Sequence, residues 1–122
     1  MVTNVSDLLH ICSPADWAQA QREGEHRPDS LREVGFVHLS TPEQVHLPAN
    51  RLYAGRTDLL LLHVDASRLQ APLRWEPADP TDPASMLFPH LYGPLPGRAI
   101  VGVTEYRAGP DGRFAPIQGP GA

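Results

Sequence analysis

Hydrophobic positions along the chain gather into five short runs separated by polar, proline-rich stretches. Leu8-Leu9-His10-Ile11-Cys12 is a short apolar run that predicts a buried strand. It stops at Ser13-Pro14-Ala15-Asp16, where a capping serine, a proline at the first helical position and an early carboxylate predict a helix start. That helix should run to about Glu23 and end at Gly24. The polar stretch Glu25–Glu33 reads as a loop. Gly35–Ser40 predicts a second strand, and Thr41-Pro42-Glu43-Gln44 the start of a second helix toward Tyr53, kinked or split by Pro48. Leu59–Asp65 is the most apolar segment and predicts the central strand.

Leu73–Glu76 reads as a short strand, residues 77–85 as irregular, and Phe88–Leu95 as a structured loop because it holds two prolines and a glycine. Ala99–Arg107 alternates as a last strand should. From Gly109 onward, seven of the last 14 residues are glycine or proline. The expected organisation is one domain over residues 1–108 and a Gly/Pro-rich tail over 109–122, frayed and dispensable for stability. The element order predicts an α+β fold, with two main helices packed on a bent or split sheet.

Composition changes this picture little. At 122 residues, 41% hydrophobic and 20% charged, the chain has the size and make-up of one globular domain. The single cysteine, Cys12, excludes an internal disulfide and makes a thiolate zinc cluster implausible. No apolar run approaches a membrane span, and Met1–Asn4 lacks the basic region of a secretory signal. The expectation is a soluble, cytoplasmic protein. A net charge of −4 argues against general nucleic-acid binding. All ten basic residues are arginine, so Schiff-base lysine chemistry and a lysine-bearing phosphate loop are excluded.

Six histidines are available, and three have marked surroundings. His10 lies inside the first strand, His38 inside the second, and His90 within Phe-Pro-His-Leu-Tyr-Gly. An imidazole in an apolar strand needs partners for its ring nitrogens. Backbone carbonyls could supply them, or the three could line a site. No histidine spacing typical of a metal motif occurs, so no metal is expected. His38 and Ser40, two apart on a strand, point to one face, as do His10 and Cys12. Cys12 itself reads as a small buried thiol. A cleft between the two strands would offer donors and acceptors suited to ribose hydroxyls and phosphate oxygens. Tyr53 or Tyr92 could supply a flat face for an aromatic base. Arg51 and Arg56 could neutralise phosphate, or lie on solvated surface.

The runs Leu8–Ile11, Gly35–Ser40, Tyr53-Ala54-Gly55, Asp58–Leu62, Trp75-Glu76 and above all Phe88-Pro89-His90-Leu91-Tyr92-Gly93-Pro94-Leu95 resemble the domain of unknown function 952 family over about residues 7–105. That resemblance implies an ADP-ribosyltransferase-like split β-sheet with NAD as a substrate. His10 would then hold a ribose, and His38 and Ser40 would lie beside the nicotinamide ribose. No residue takes the place of the catalytic glutamate of toxin-like transferases; Glu105 lies on the last strand in a different motif context.

Three classes of function follow. The first is a transferase with His10, His38 and His90 as catalytic residues, and Ser40, Arg51, Tyr53 and Tyr92 as ligand-binding residues. It would take a nucleotide-type small molecule and perform ADP-ribosyl or related glycosyl or phosphoribosyl transfer. The second is a non-catalytic nucleotide or ADP-ribose binding module. The third, a structural protein, leaves the polar residues inside the strands unexplained.

Overall fold

The computed structural model describes residues 8–117. The readings made for Met1–Asn4 and for the last five residues of the tail lie outside that range. Strand β1 (Leu8–Cys12) leads into helix α1 (Pro14–Glu23) at the expected point. The Ser13 hydroxyl accepts from the Asp16 N–H at 3.1 Å, and Pro14 opens the helix where no N–H is needed. Gly24 closes it at φ 79°, donating its N–H to the Ala20 carbonyl. Any side chain at this left-handed position is strained, so Gly24→Ala should lower stability by about 1 kcal/mol in urea unfolding.

The stretch expected to be a loop after Gly24 holds two short elements instead, β2 (Glu25–His26) and α2 (Asp29–Glu33). Two residues cannot announce a strand by periodicity. β2 exists because β7 (Leu95–Pro96), distant in sequence, pairs with it. The second long helix also departs from expectation. Residues 42–45 form a turn, and helix α3 spans His46–Tyr53. Pro48 therefore falls in the first helical turn, where its missing N–H has no intrahelical partner.

Strand β4 (Leu59–Val64) is central, as its apolar run implied, in an antiparallel sheet of order β1-β4-β8, with β8 spanning Ile100–Tyr106. Both faces of this sheet are covered. Leu62 and Val64 join Leu8 and Cys12 in one core cluster, with Trp17 of α1 packed against it. Leu59 and Leu61 join Leu9, Val45, Ala49, Tyr106 and Phe114 in a second cluster on the opposite face.

A second antiparallel sheet has the order β3-β6-β5, with β3 at Val37–His38, β5 at Leu73–Pro77 and β6 at Leu87–Leu91. β6 overturns the loop expected over Phe88–Leu95, because a central strand runs through Pro89. The Pro89 carbonyl accepts from the Leu39 N–H at 3.1 Å, so its absent N–H faces the side where β3 has already ended.

The tail also corrects its expectation in part. Residues 107–117 form no helix or strand, but they are not frayed. Phe114 is 3% exposed, and its backbone is held on both sides by Asn50. The described residues thus form an α+β fold with three α-helices and antiparallel sheets. No described helix is long and apolar enough to cross a membrane.

Candidate functional site

The segment Val37–Ser40 belongs to both sheets. Val37 and His38 pair with Leu91 and His90 of β6, whereas Ser40 exchanges two backbone hydrogen bonds with Leu9 of β1. This crossing sets His38 and Ser40 where the two sheets part. Two adjoining cavities open there, of about 580 Å³ and about 480 Å³. Both lie within the range of small-molecule sites. His38, Ser40, Pro48 and Arg51 form the wall between them, being common to both.

The first cavity is aromatic. His90 stacks on Phe36 with ring centroids 3.9 Å apart and planes 15° from parallel, and Tyr92 packs on the same Phe36 ring. The His38 and His90 rings, directly opposite across the β3–β6 ladder, meet edge-on at 5.7 Å. Glu76 of β5 reaches in from the far side. One of its oxygens, Oε1, accepts from the Tyr92 hydroxyl at 2.6 Å and bonds His90 Nδ1 at 2.8 Å. These two contacts, the Tyr92 bond first, hold the Glu76 carboxyl below the usual carboxylate range, and Glu76 in turn holds the Tyr92 phenol up.

The second cavity contains His10. Its ring is 7% exposed and both nitrogens are occupied: Nδ1 bonds the His38 carbonyl at 2.8 Å, and Nε2 bonds Nε2 of His26 at 3.0 Å. Only an Nδ1–H can donate to a carbonyl, so His10 Nε2 accepts and His26 Nε2 carries a proton. Burial first, and then His26, push the His10 pKa down to about 4. His38 is also lowered, chiefly by desolvation and further by His90 and Arg51. Tyr53 lines this second cavity. Cys12, buried and with its thiol pushed up to about 12, has the inert character expected of it.

The residues singled out in the sequence are therefore brought together, but around two joined cavities rather than one. His38, Ser40 and Arg51 touch both, His90 and Tyr92 the first, His10 and Tyr53 the second. His10 differs from its expected role, since neither of its nitrogens is free for a ribose; it braces the His38 backbone instead. Of the two arginines, Arg56 is engaged by Asp58 through two bonds of 2.7 and 3.0 Å. Among the described residues no carboxylate pairs with Arg51, which remains available to an anion. Three site residues were missed: His26, in a stretch without periodicity, and Phe36 and Glu76, which read only as strand members. Among the described residues, no group of three histidine, cysteine or carboxylate side chains is placed to hold a metal ion.

The fold and site define a small α+β protein with a histidine-lined cleft between two antiparallel sheets. The chain belongs to the family described as protein of unknown function (DUF952), which matches residues 11–103. Among solved structures it is similar to protein CC0527 from Caulobacter crescentus. The crystal structure of that protein is 31% identical, with a TM-score of 0.74, over 88% of this chain and 92% of that one. Its solution structure is 30% identical with a TM-score of 0.75, over 89% and 91%. No curated protein matches the chain.

Proposed function

We propose that the joined cavities bind a nucleotide of ADP-ribose type, with NAD as a substrate, and that the protein is an ADP-ribosyltransferase-like enzyme. Its reaction is ADP-ribosyl transfer or a related glycosyl or phosphoribosyl transfer. The observation that carries this reading is the Val37–Ser40 crossing between two antiparallel sheets. It presents His38 and Ser40 to a cleft that is aromatic at one end and has an uncommitted arginine, Arg51, in its dividing wall. An aromatic base suits the Phe36 and Tyr92 rings, ribose hydroxyls suit His38 and Ser40, and a phosphate suits Arg51. A transition state of oxocarbenium character needs positioning more than a strong nucleophile, and positioning is what this residue set supplies.

A non-catalytic binding module is the second reading, favoured by one observation. Glu105 is exposed, pairs with Arg107 and takes no part in either cavity. It does not serve as the carboxylate of toxin-like transferases.

Thermal unfolding with millimolar NAD, ADP-ribose or nicotinamide tests the proposal. A ligand at 100 times its dissociation constant stabilises the folded state by about 2.7 kcal/mol. NAD and ADP-ribose should each raise the melting temperature by several degrees, and Arg51→Ala should abolish that rise without lowering the unliganded melting temperature. Absence of any shift or saturable binding with all three ligands would remove the nucleotide reading. A shift with no turnover of NAD would select the binding module.

A further inference from the structure

We infer that Glu76 is a positioning residue that makes His90 the proton acceptor of the aromatic cavity, so that the group receiving the transferred ribosyl unit loses its proton there, as an O–H of water or an alcohol would. This rests on the reading of the cleft as an ADP-ribosyl-transferring site. The argument starts from valence. An ionised carboxylate only accepts hydrogen bonds, so both partners of Glu76 Oε1 must donate. Tyr92 donates its O–H, and His90 donates from Nδ1. With the proton fixed on Nδ1, the lone pair of the neutral ring is on Nε2.

Among the described residues that second nitrogen has no partner. His90 lines the cavity, and its Nε2 is neither bonded to a described residue nor sealed from solvent. The ring cannot readily turn away. Phe36 stacks on one of its faces, His38 meets it edge-on, and Glu76 holds its other edge. The charged and titratable neighbours are Glu76 and Arg74 from β5, His38 from β3, and Tyr92 beyond β6. Arg74 lies over the Tyr92 ring, 5.6 Å from its centre. A hydrogen-bonded carboxylate–imidazole pair with one open nitrogen is the arrangement of a general base.

The step balances with NAD and an acceptor alone. The bond between ribose C1 and the nicotinamide nitrogen breaks, and its electron pair leaves on nicotinamide, which becomes neutral. An acceptor oxygen lone pair forms the new C–O bond. The acceptor's proton passes to His90 Nε2 and then to solvent. No oxidant, reductant or metal is consumed.

Two measurements test this independently. The first is nitrogen NMR of the His90 ring in the ligand-free protein. The neutral ring should carry its proton on Nδ1 in wild type and in Tyr92→Phe, and on Nε2 in Glu76→Ala. A wild-type ring protonated on Nε2, or a tautomer indifferent to Glu76→Ala, overturns the inference whatever the activity. The second is turnover of NAD in water containing methanol, which separates ADP-ribose from the methyl glycoside and so identifies water or alcohol as acceptor. Glu76→Ala and the isosteric Glu76→Gln should both lower kcat by at least about tenfold, as expected for impaired general-base catalysis, with KM changed by less than about threefold. Turnover unaffected by either variant, or a loss confined to KM, would reject the inference. Absence of wild-type turnover, with the tautomers as stated, rejects the O–H acceptor and the transferase reading but leaves Glu76 as the group that positions His90.

Discussion

Removing residues 110–122 is expected to lower the melting temperature by on the order of 10 °C, although six of those 13 residues are glycine or proline. The reason is Phe114. Its ring packs on Tyr106 at a centroid distance of 4.6 Å, inside the cluster that also holds Leu59, Leu61, Val45 and Ala49. Its backbone is clamped by one side chain, since Phe114 N–H donates to Asn50 Oδ1 at 2.7 Å and Asn50 Nδ2 donates to the Phe114 carbonyl at 2.9 Å. Deletion would open one face of the first sheet and leave the Asn50 amide without partners. Phe114→Ala alone should cost about 3 kcal/mol, at the low end for burying and then truncating a phenylalanine. Asn50→Ala should cost about 1–2 kcal/mol through the two lost bonds. Calorimetry on the truncated chain and on both variants checks this. A truncated chain that melts within about 2 °C of the full chain would show that Phe114 contributes nothing to the core.

Acid should destabilise the protein well above the pH at which its carboxylates protonate. His10 takes up a proton near 6.5 when unfolded but only near 4 when folded, because the charged ring would be buried beside His26. Between those values the unfolded chain binds more protons than the folded one, so stability is complete above about pH 6.5 and falls as pH is lowered. The loss from His10 alone is on the order of 2–3 kcal/mol by about pH 4.5. His26 and His38, both lowered mainly by desolvation, act in the same direction. The hydrogen-bonded carboxylates Asp65 and Glu76, held low, withdraw their contribution only at more acid pH. Urea unfolding at pH 7.5 and near 4.5 measures the difference, and His10→Gln should flatten it. A wild-type stability that changes by less than about 1 kcal/mol over this interval would mean that the His10–His26 pair takes up a proton without cost.

The sequence by itself determined those elements whose signals are local. The Ser13–Pro14–Asp16 start and Gly24 stop of α1 are read from caps and backbone preferences that act within a few residues. The Leu59–Leu62 run announced a strand covered on both faces, because only such a position accepts consecutive leucines. His38 and Ser40 were legible as site residues because polar groups two apart on a strand share a face, whereas Arg51, His90 and Tyr92 were singled out by side-chain chemistry and by the Phe88–Leu95 motif. Tertiary structure decided the remainder, where a residue's state depends on a partner far along the chain. β2 exists only against β7, and β6 passes through Pro89 only because β3 ends at His38. Phe114 is ordered by Asn50, 64 residues earlier. His26 carries no local mark, and Glu76 none beyond the Trp75-Glu76 pair of the family resemblance. Each takes its role from a histidine on another strand, His10 at a separation of 16 residues and His90 at 14, and hydrogen bonds over such separations leave no periodicity in the sequence.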